Sequence, residues 1–148
     1  MIRMDKKKIS TLLSNIIAED MVKAAADGYM GLPNLLKGSS AGRGAKRATG
    51  RLPVREAWRE AEPKEKDSWR EAYQNVTGAM TKCGKVLEED DFKGTVTGVV
   101  YAGIKDMNPA VLVVEVEQEN LRITAYAKEG ILNQHTAEEA IDKFVKAL

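Results

Sequence analysis

Apolar positions repeat at helical spacing in the first part of the chain and at strand spacing beyond residue 93. Over residues 5–26, Ile9, Leu12, Leu13, Ile16, Ile17, Met21, Ala24 and Ala25 form one stripe, which predicts an amphipathic helix. Asp5 is placed to cap its start, and Gly28, after Asp27, to stop it. Residues 54–61 and 64–83 read as two more helices opened by Pro53 and Pro63, since proline suits a first turn and not a helix interior. The longer carries Trp69, Ala72, Tyr73, Val76, Ala79, Met80 and Cys83 on one face. Trp58, on the shorter, is expected to pack across the Pro63 turn onto Trp69. Glu88 to Asp91 reads as an acidic connector.

Residues 94–104 (GTVTGVVYAGI) are rich in β-branched side chains and predict a strand. A turn follows at 105–109, and 110–118 (AVLVVEVEQ) ends in two-residue alternation. Glu119-Asn120 is a hairpin position. Residues 121–128 then set Leu121, Ile123, Ala125 and Ala127 against Arg122, Thr124, Tyr126 and Lys128. Thr136 and Glu139 have capping-box spacing, and Ala137, Ala140, Ile141, Phe144, Val145 and Leu148 follow at helical intervals. The predicted fold is α+β: a helical N-terminal half, then a three-stranded antiparallel meander packed against helices, α-β-β-β-α in the C-terminal half. The organisation expected is an N-terminal helical segment over 1–36, a basic Gly/Ser-rich arm or loop over 37–53, and an α+β domain over 54–148. In element order this is similar to the double-stranded-RNA-binding domain, and β-β-β-α recurs in single-strand-annealing recombinases. That RNA-binding domain opens its last helix with basic residues aimed at phosphates. Here the matching turn is Thr136-Ala-Glu-Glu139, which would repel them and points any nucleic-acid contact elsewhere.

With 148 residues, 43% hydrophobic and 30% charged, the composition is that of a folded domain. Its apolar runs are too short for a membrane-spanning helix. The charged N-terminus argues against a secretory signal, so no membrane association and a cytoplasmic location are expected. Cys83 and His135 are the only residues of their kinds. An internal disulfide and a Cys/His zinc site are thereby excluded, and no cofactor or metal is expected.

Charge changes the picture most. Residues 1–55 hold 11 Lys/Arg against 4 Asp/Glu, a net +7; residues 56–148 hold 12 against 18, a net −6. No acidic residue lies between Asp27 and Glu56, a window containing Lys37, Arg43, Lys46, Arg47, Arg51 and Arg55. Its centre, 38–50 (GSSAGRGAKRATG), lacks the spacing of a phosphate-binding P-loop, and no strand precedes it. The pattern instead suits a flexible basic arm tracking a phosphate backbone, where Lys and Arg displace condensed counterions. The leading expectation is a small, non-enzymatic DNA- or RNA-binding protein, homo-oligomeric, with those six cations as its contacts. A second is an adaptor that self-assembles by docking its basic arm on an acidic face. A third is a metal-independent ribonuclease or toxin centred on His135, with Tyr126, Lys128 and Arg122 assisting. Asp106, Glu115 and Glu117 are the residue types that would hold Mg²⁺.

Overall fold

The computed structural model describes residues 4–26, 44, 47–63, 68–130 and 132–148. Its elements are α1 (Lys6–Ala26), β1 (Val54–Ala61), α2 (Trp69–Cys83), β2 (Gly84–Asp90), β3 (Thr95–Ala102), β4 (Asn108–Val116), β5 (Leu121–Lys128) and α3 (Thr136–Ala147). Residues 47–50 are also helical. The strands form one antiparallel sheet in the order β1-β5-β4-β3-β2.

The α+β class therefore holds, but the three-stranded meander does not: two more strands flank it. Val54–Ala61 is an edge strand rather than a helix. Its Arg, Glu and Ala residues are good helix formers, and Ala57 and Ala61 also stand at helical spacing. Pairing with β5 overrides that preference, because it engages the backbone of β1 and turns Ala57 and Ala61 onto the core face. The acidic run that reads as a connector belongs largely to the opposite edge strand, β2, which is bulged between Val86 and Glu88. Edge strands accept such charge, which also discourages edge-to-edge aggregation. With β1 and β2 in place, the likeness in element order to the RNA-binding domain lapses.

Alternation sorts the sheet into two faces. Val96, Val100, Leu112, Val114, Leu121, Ile123 and Ala125 pack against Val76 and Met80 of α2 and Ala140, Ile141 and Phe144 of α3. Helix α2 lies close: a Cβ at Gly98 would collide with the Met80 thioether and stand 2.8 Å from the Lys85 carbonyl oxygen. The other face is covered by α1, whose Ile9 and Leu13 bury Val99, Val111, Val113 and Tyr126. Asp5 caps α1 as expected, accepting from Lys7 N at 2.9 Å.

Other local expectations shift. The capping box is at Ser68 and Glu71, opening α2, rather than at Thr136 and Glu139. Trp58 does not meet Trp69. It is 61% exposed and in register with Thr124, on the α1 face, whereas Trp69 stacks on Tyr73 at 5.5 Å. Trp69 also donates Nε1–H to Val116 O at 3.1 Å.

Candidate functional site

Strained backbone gathers at the end of the sheet where β3 turns into β4 and β5 leads to α3. Gly103, Lys105 and Asp106 have φ of 75°, 55° and 55°, and His135, the N-cap of α3, has 52°. Non-glycine residues in this region cost energy and cluster at functional sites. Helix α3 braces the turn. Lys143 Nζ donates to Tyr101 O at 2.8 Å and pairs with Asp106, and Glu139 accepts from Gly103 N at 2.8 Å. Asn108 donates to Gln134 Oε1 and stands 3.4 Å from Thr136 Oγ1. Glycine suits position 103 because side chains rarely adopt its φ of 75°, and a Cβ would also lie 2.9 Å from the Asn108 amide nitrogen.

The loop into α3 is organised by Glu129, which is only 2% exposed. Its Oε1 accepts from Thr136 N at 2.6 Å. Its Oε2 accepts from Gln134 N at 3.1 Å and pairs with Arg55 Nε at 3.1 Å. A carboxylate thus satisfies backbone donors at the N-terminus of α3, where the helix dipole favours negative charge.

Lys128 is 5% exposed and points to the other face. Its Nζ donates to Ser14 Oγ at 2.8 Å and to the Thr49 carbonyl at 2.6 Å. Among the described residues no carboxylate lies within 4.0 Å of it. Burial lowers its pKa below the ordinary lysine value. Lys128 and its acceptor Thr49 line a cleft of about 320 Å³ between the C-terminal half of α1, residues 49–52, the start of β4 and the loop after β5. Ile17, Met21, Leu52, Met107 and Pro109 supply apolar walls. The cleft also contains Asp20, whose carboxylate accepts from the Tyr101 hydroxyl at 2.7 Å. Burial, and next this hydrogen bond, raise the Tyr101 pKa.

Of the six expected phosphate contacts, Lys37, Arg43 and Lys46 lie outside the described residues. Arg47 and Arg51 are exposed and, among the described residues, form no ion pair, whereas Arg55 and Arg59 are each held in one and Arg122 in two. Arg55 retains 42% side-chain exposure. The residues of the ribonuclease reading are not brought together. His135 is exposed, with Nδ1 3.8 Å from Glu138, and Tyr126 is buried beneath α1. Arg122 pairs with Glu60 and Glu117, six residues along β5 from Lys128, which is roughly 20 Å at strand rise. The three acids of the Mg²⁺ reading are also apart. Asp106 pairs with Lys143 in the β3–β4 turn and Glu117 with Arg122 beyond β4, and no group of three ligating side chains is placed for a metal among the described residues. Cys83 is a half-buried free thiol whose pKa is pushed up by burial.

Sequence reasoning missed Glu129, Asp20, Tyr101 and Asn108. Alternation along β5 does put Lys128 on the face of Tyr126, which is the one signal for its burial. No helix among the described residues is long and apolar enough to cross a membrane. Searches of family models, of curated protein sequences and of solved structures find no match to this chain.

Proposed function

We propose that this protein binds the phosphate backbone of nucleic acid through the basic segment 37–55, in the cytoplasm and without catalysis. The observation that carries the reading is the contrast among its arginines. Arg47 and Arg51 stay exposed and unpaired among the described residues, while Arg55 and Arg59 are tied to Glu129 and Asp142. Unpaired guanidinium groups release counterions on meeting phosphates and lose no internal ion pair in doing so. Trp58 supports the reading and favours single strands, since an exposed indole on an edge strand offers a face on which any base can stack.

The test is a salt series with fluorescent single-stranded and duplex oligonucleotides. Log affinity should fall linearly with log salt. Arg47→Ala with Arg51→Ala should shallow the slope by about 0.7–0.9 per contact removed. Absence of binding at about 50 mM salt, or an unchanged slope in the double variant, refutes the reading.

A second reading rests on the strand order. Segment 47–55 enters at the β1 edge, and Glu88, Glu89 and Asp90 lie on β2 at the opposite edge. A head-to-tail contact would join these two edges in successive copies. Light scattering without nucleic acid tests it: an oligomer that dissociates in salt supports the contact, and a monomer at low salt removes it.

A further inference from the structure

The buried amine of Lys128 has no part in the proposed contact along Arg47 and Arg51. An ammonium taken out of water needs an opposite charge or must lose its proton. Lys128 has three protons to donate, and among the described residues only Ser14 Oγ and Thr49 O receive them, both neutral. No carboxylate within 4.0 Å balances it there. Lys128 and Thr49, which accepts from its amine, belong to the wall of the cleft, whose volume of about 320 Å³ is at the small end of ligand sites. Two of its polar wall residues are fixed to each other, Asn108 donating to Gln134 Oε1, and Asp20 is held by the Tyr101 hydroxyl.

We infer that this cleft is a binding site for a small organic monoanion, a carboxylate on a compact apolar body, with Lys128 supplying the counter-charge. The carboxylate would take the third ammonium proton. Ile17, Met21, Leu52 and Met107 would cover the apolar part, the methionines adapting to its shape. Asp20 sets the charge limit, because Glu129, which also lines the cleft, is already paired with Arg55. The Asp20 carboxylate shares the cleft, so a phosphate dianion meets a repulsion that a monoanion meets only by half. Thr49 connects the cleft to the basic segment, because it accepts from Lys128 two residues from both Arg47 and Arg51.

The experiment titrates the full chain with hexanoate, hexanamide and inorganic phosphate, reading thermal unfolding and amide chemical shifts. Hexanoate at tenfold excess over its Kd should raise the midpoint by about 3–6 °C. It should also move the Thr49 and Lys128 amides, while hexanamide and phosphate do neither. Lys128→Met should abolish the response. Should that variant fold poorly, Ala24→Phe, which fills the cleft and keeps the amine, should abolish it too. Equal responses to hexanoate and hexanamide, no response to hexanoate, or a full response in a folded Ala24→Phe protein would overturn the inference. A phosphate response exceeding that of hexanoate would also overturn it, and would assign the amine to phosphate chemistry instead. Oligonucleotide affinity of Ala24→Phe, measured in parallel, should remain as in the parent.

Discussion

Replacing Glu129 should unfasten the N-terminus of α3 more than any surface change on that helix. The carboxylate uses both oxygens: Oε1 takes Thr136 N, and Oε2 takes Gln134 N and Arg55 Nε. Each hydrogen bond to a charged acceptor contributes about 1.5–3 kcal/mol, and the half-exposed arginine pair adds about 0.5 kcal/mol after solvent screening. Against this stands the cost of keeping the carboxylate out of water, several kcal/mol before its partners compensate. The net expectation for Glu129→Ala is a loss of about 3 kcal/mol, because one buried and one part-buried backbone donor lose their acceptor. Glu129→Gln is the sharper test. The glutamine has one oxygen, so its NH₂ must face either Thr136 N–H or the Gln134 and Arg55 donors. It should therefore cost about 2 kcal/mol despite its identical shape. Urea unfolding followed by circular dichroism would read both, with the denaturant slope unchanged. Arg55→Ala should cost under about 1 kcal/mol, since the backbone donors keep their carboxylate. A Glu129→Gln protein within about 0.5 kcal/mol of the parent would show that the carboxylate is not what seats α3.

Gly98→Ala should cost about 1–3 kcal/mol in the same urea assay, since neither Met80 nor the Lys85 carbonyl can withdraw without disturbing α2 or β2. Trp58→Ala should change stability by under about 0.5 kcal/mol, because the indole is exposed, yet weaken single-strand binding by about 5–150-fold. Fluorescence anisotropy against a single strand reads that loss, and unchanged affinity removes Trp58 from the contact. Alkaline pH separates a buried amine from a partly buried phenol. The lowered Lys128 pKa means the unfolded chain holds its proton longer, so stability rises with pH up to the ordinary lysine value. The raised Tyr101 pKa keeps its phenol protonated after the unfolded phenol ionises, so stability falls above the ordinary tyrosine value. Tyr101→Phe should make that fall shallower without removing it, since burial also raises the Tyr73 and Cys83 pKa values, and an unchanged fall would mean that Tyr101 does not contribute.

What was legible in the sequence follows from how strongly local pattern and tertiary pairing agreed. Helices α1 and α3 declare themselves because their apolar stripes are also their packing faces: Ile9 and Leu13 are buried, as are Ile141 and Phe144. Strand β5 is legible for the same reason, its Leu121, Ile123, Ala125 and Ala127 all lying on the core face. The two edge strands were not. In β1 only Ala57 and Ala61 turn apolar side chains to the α2/α3 side, so the alternation is too weak to outweigh helix-forming Arg, Glu and Ala. In β2 the bulge after Val86 breaks the period where the acidic residues begin. A central strand is specified by its own residues, whereas these edges depend on a neighbour that the local pattern does not contain.

The candidate site was hidden by a related ambiguity. Arg122, Thr124, Tyr126 and Lys128 read as one polar face, and a polar face on a strand ordinarily means solvent. Burial of that face is decided more than a hundred residues earlier in the chain, by Ile9, Leu13 and Ser14 of α1. Three of these residues consequently meet different fates. Arg122 stays at the partly exposed end with Glu60 and Glu117, Tyr126 goes beneath α1, and Lys128 becomes a buried amine at the wall of a cleft. Periodicity states which side chains share a face, but it is silent on how far a covering helix extends along it. The amine acquires its distinctive chemistry from that extent alone, because the same lysine beyond the end of α1 would be another solvated charge.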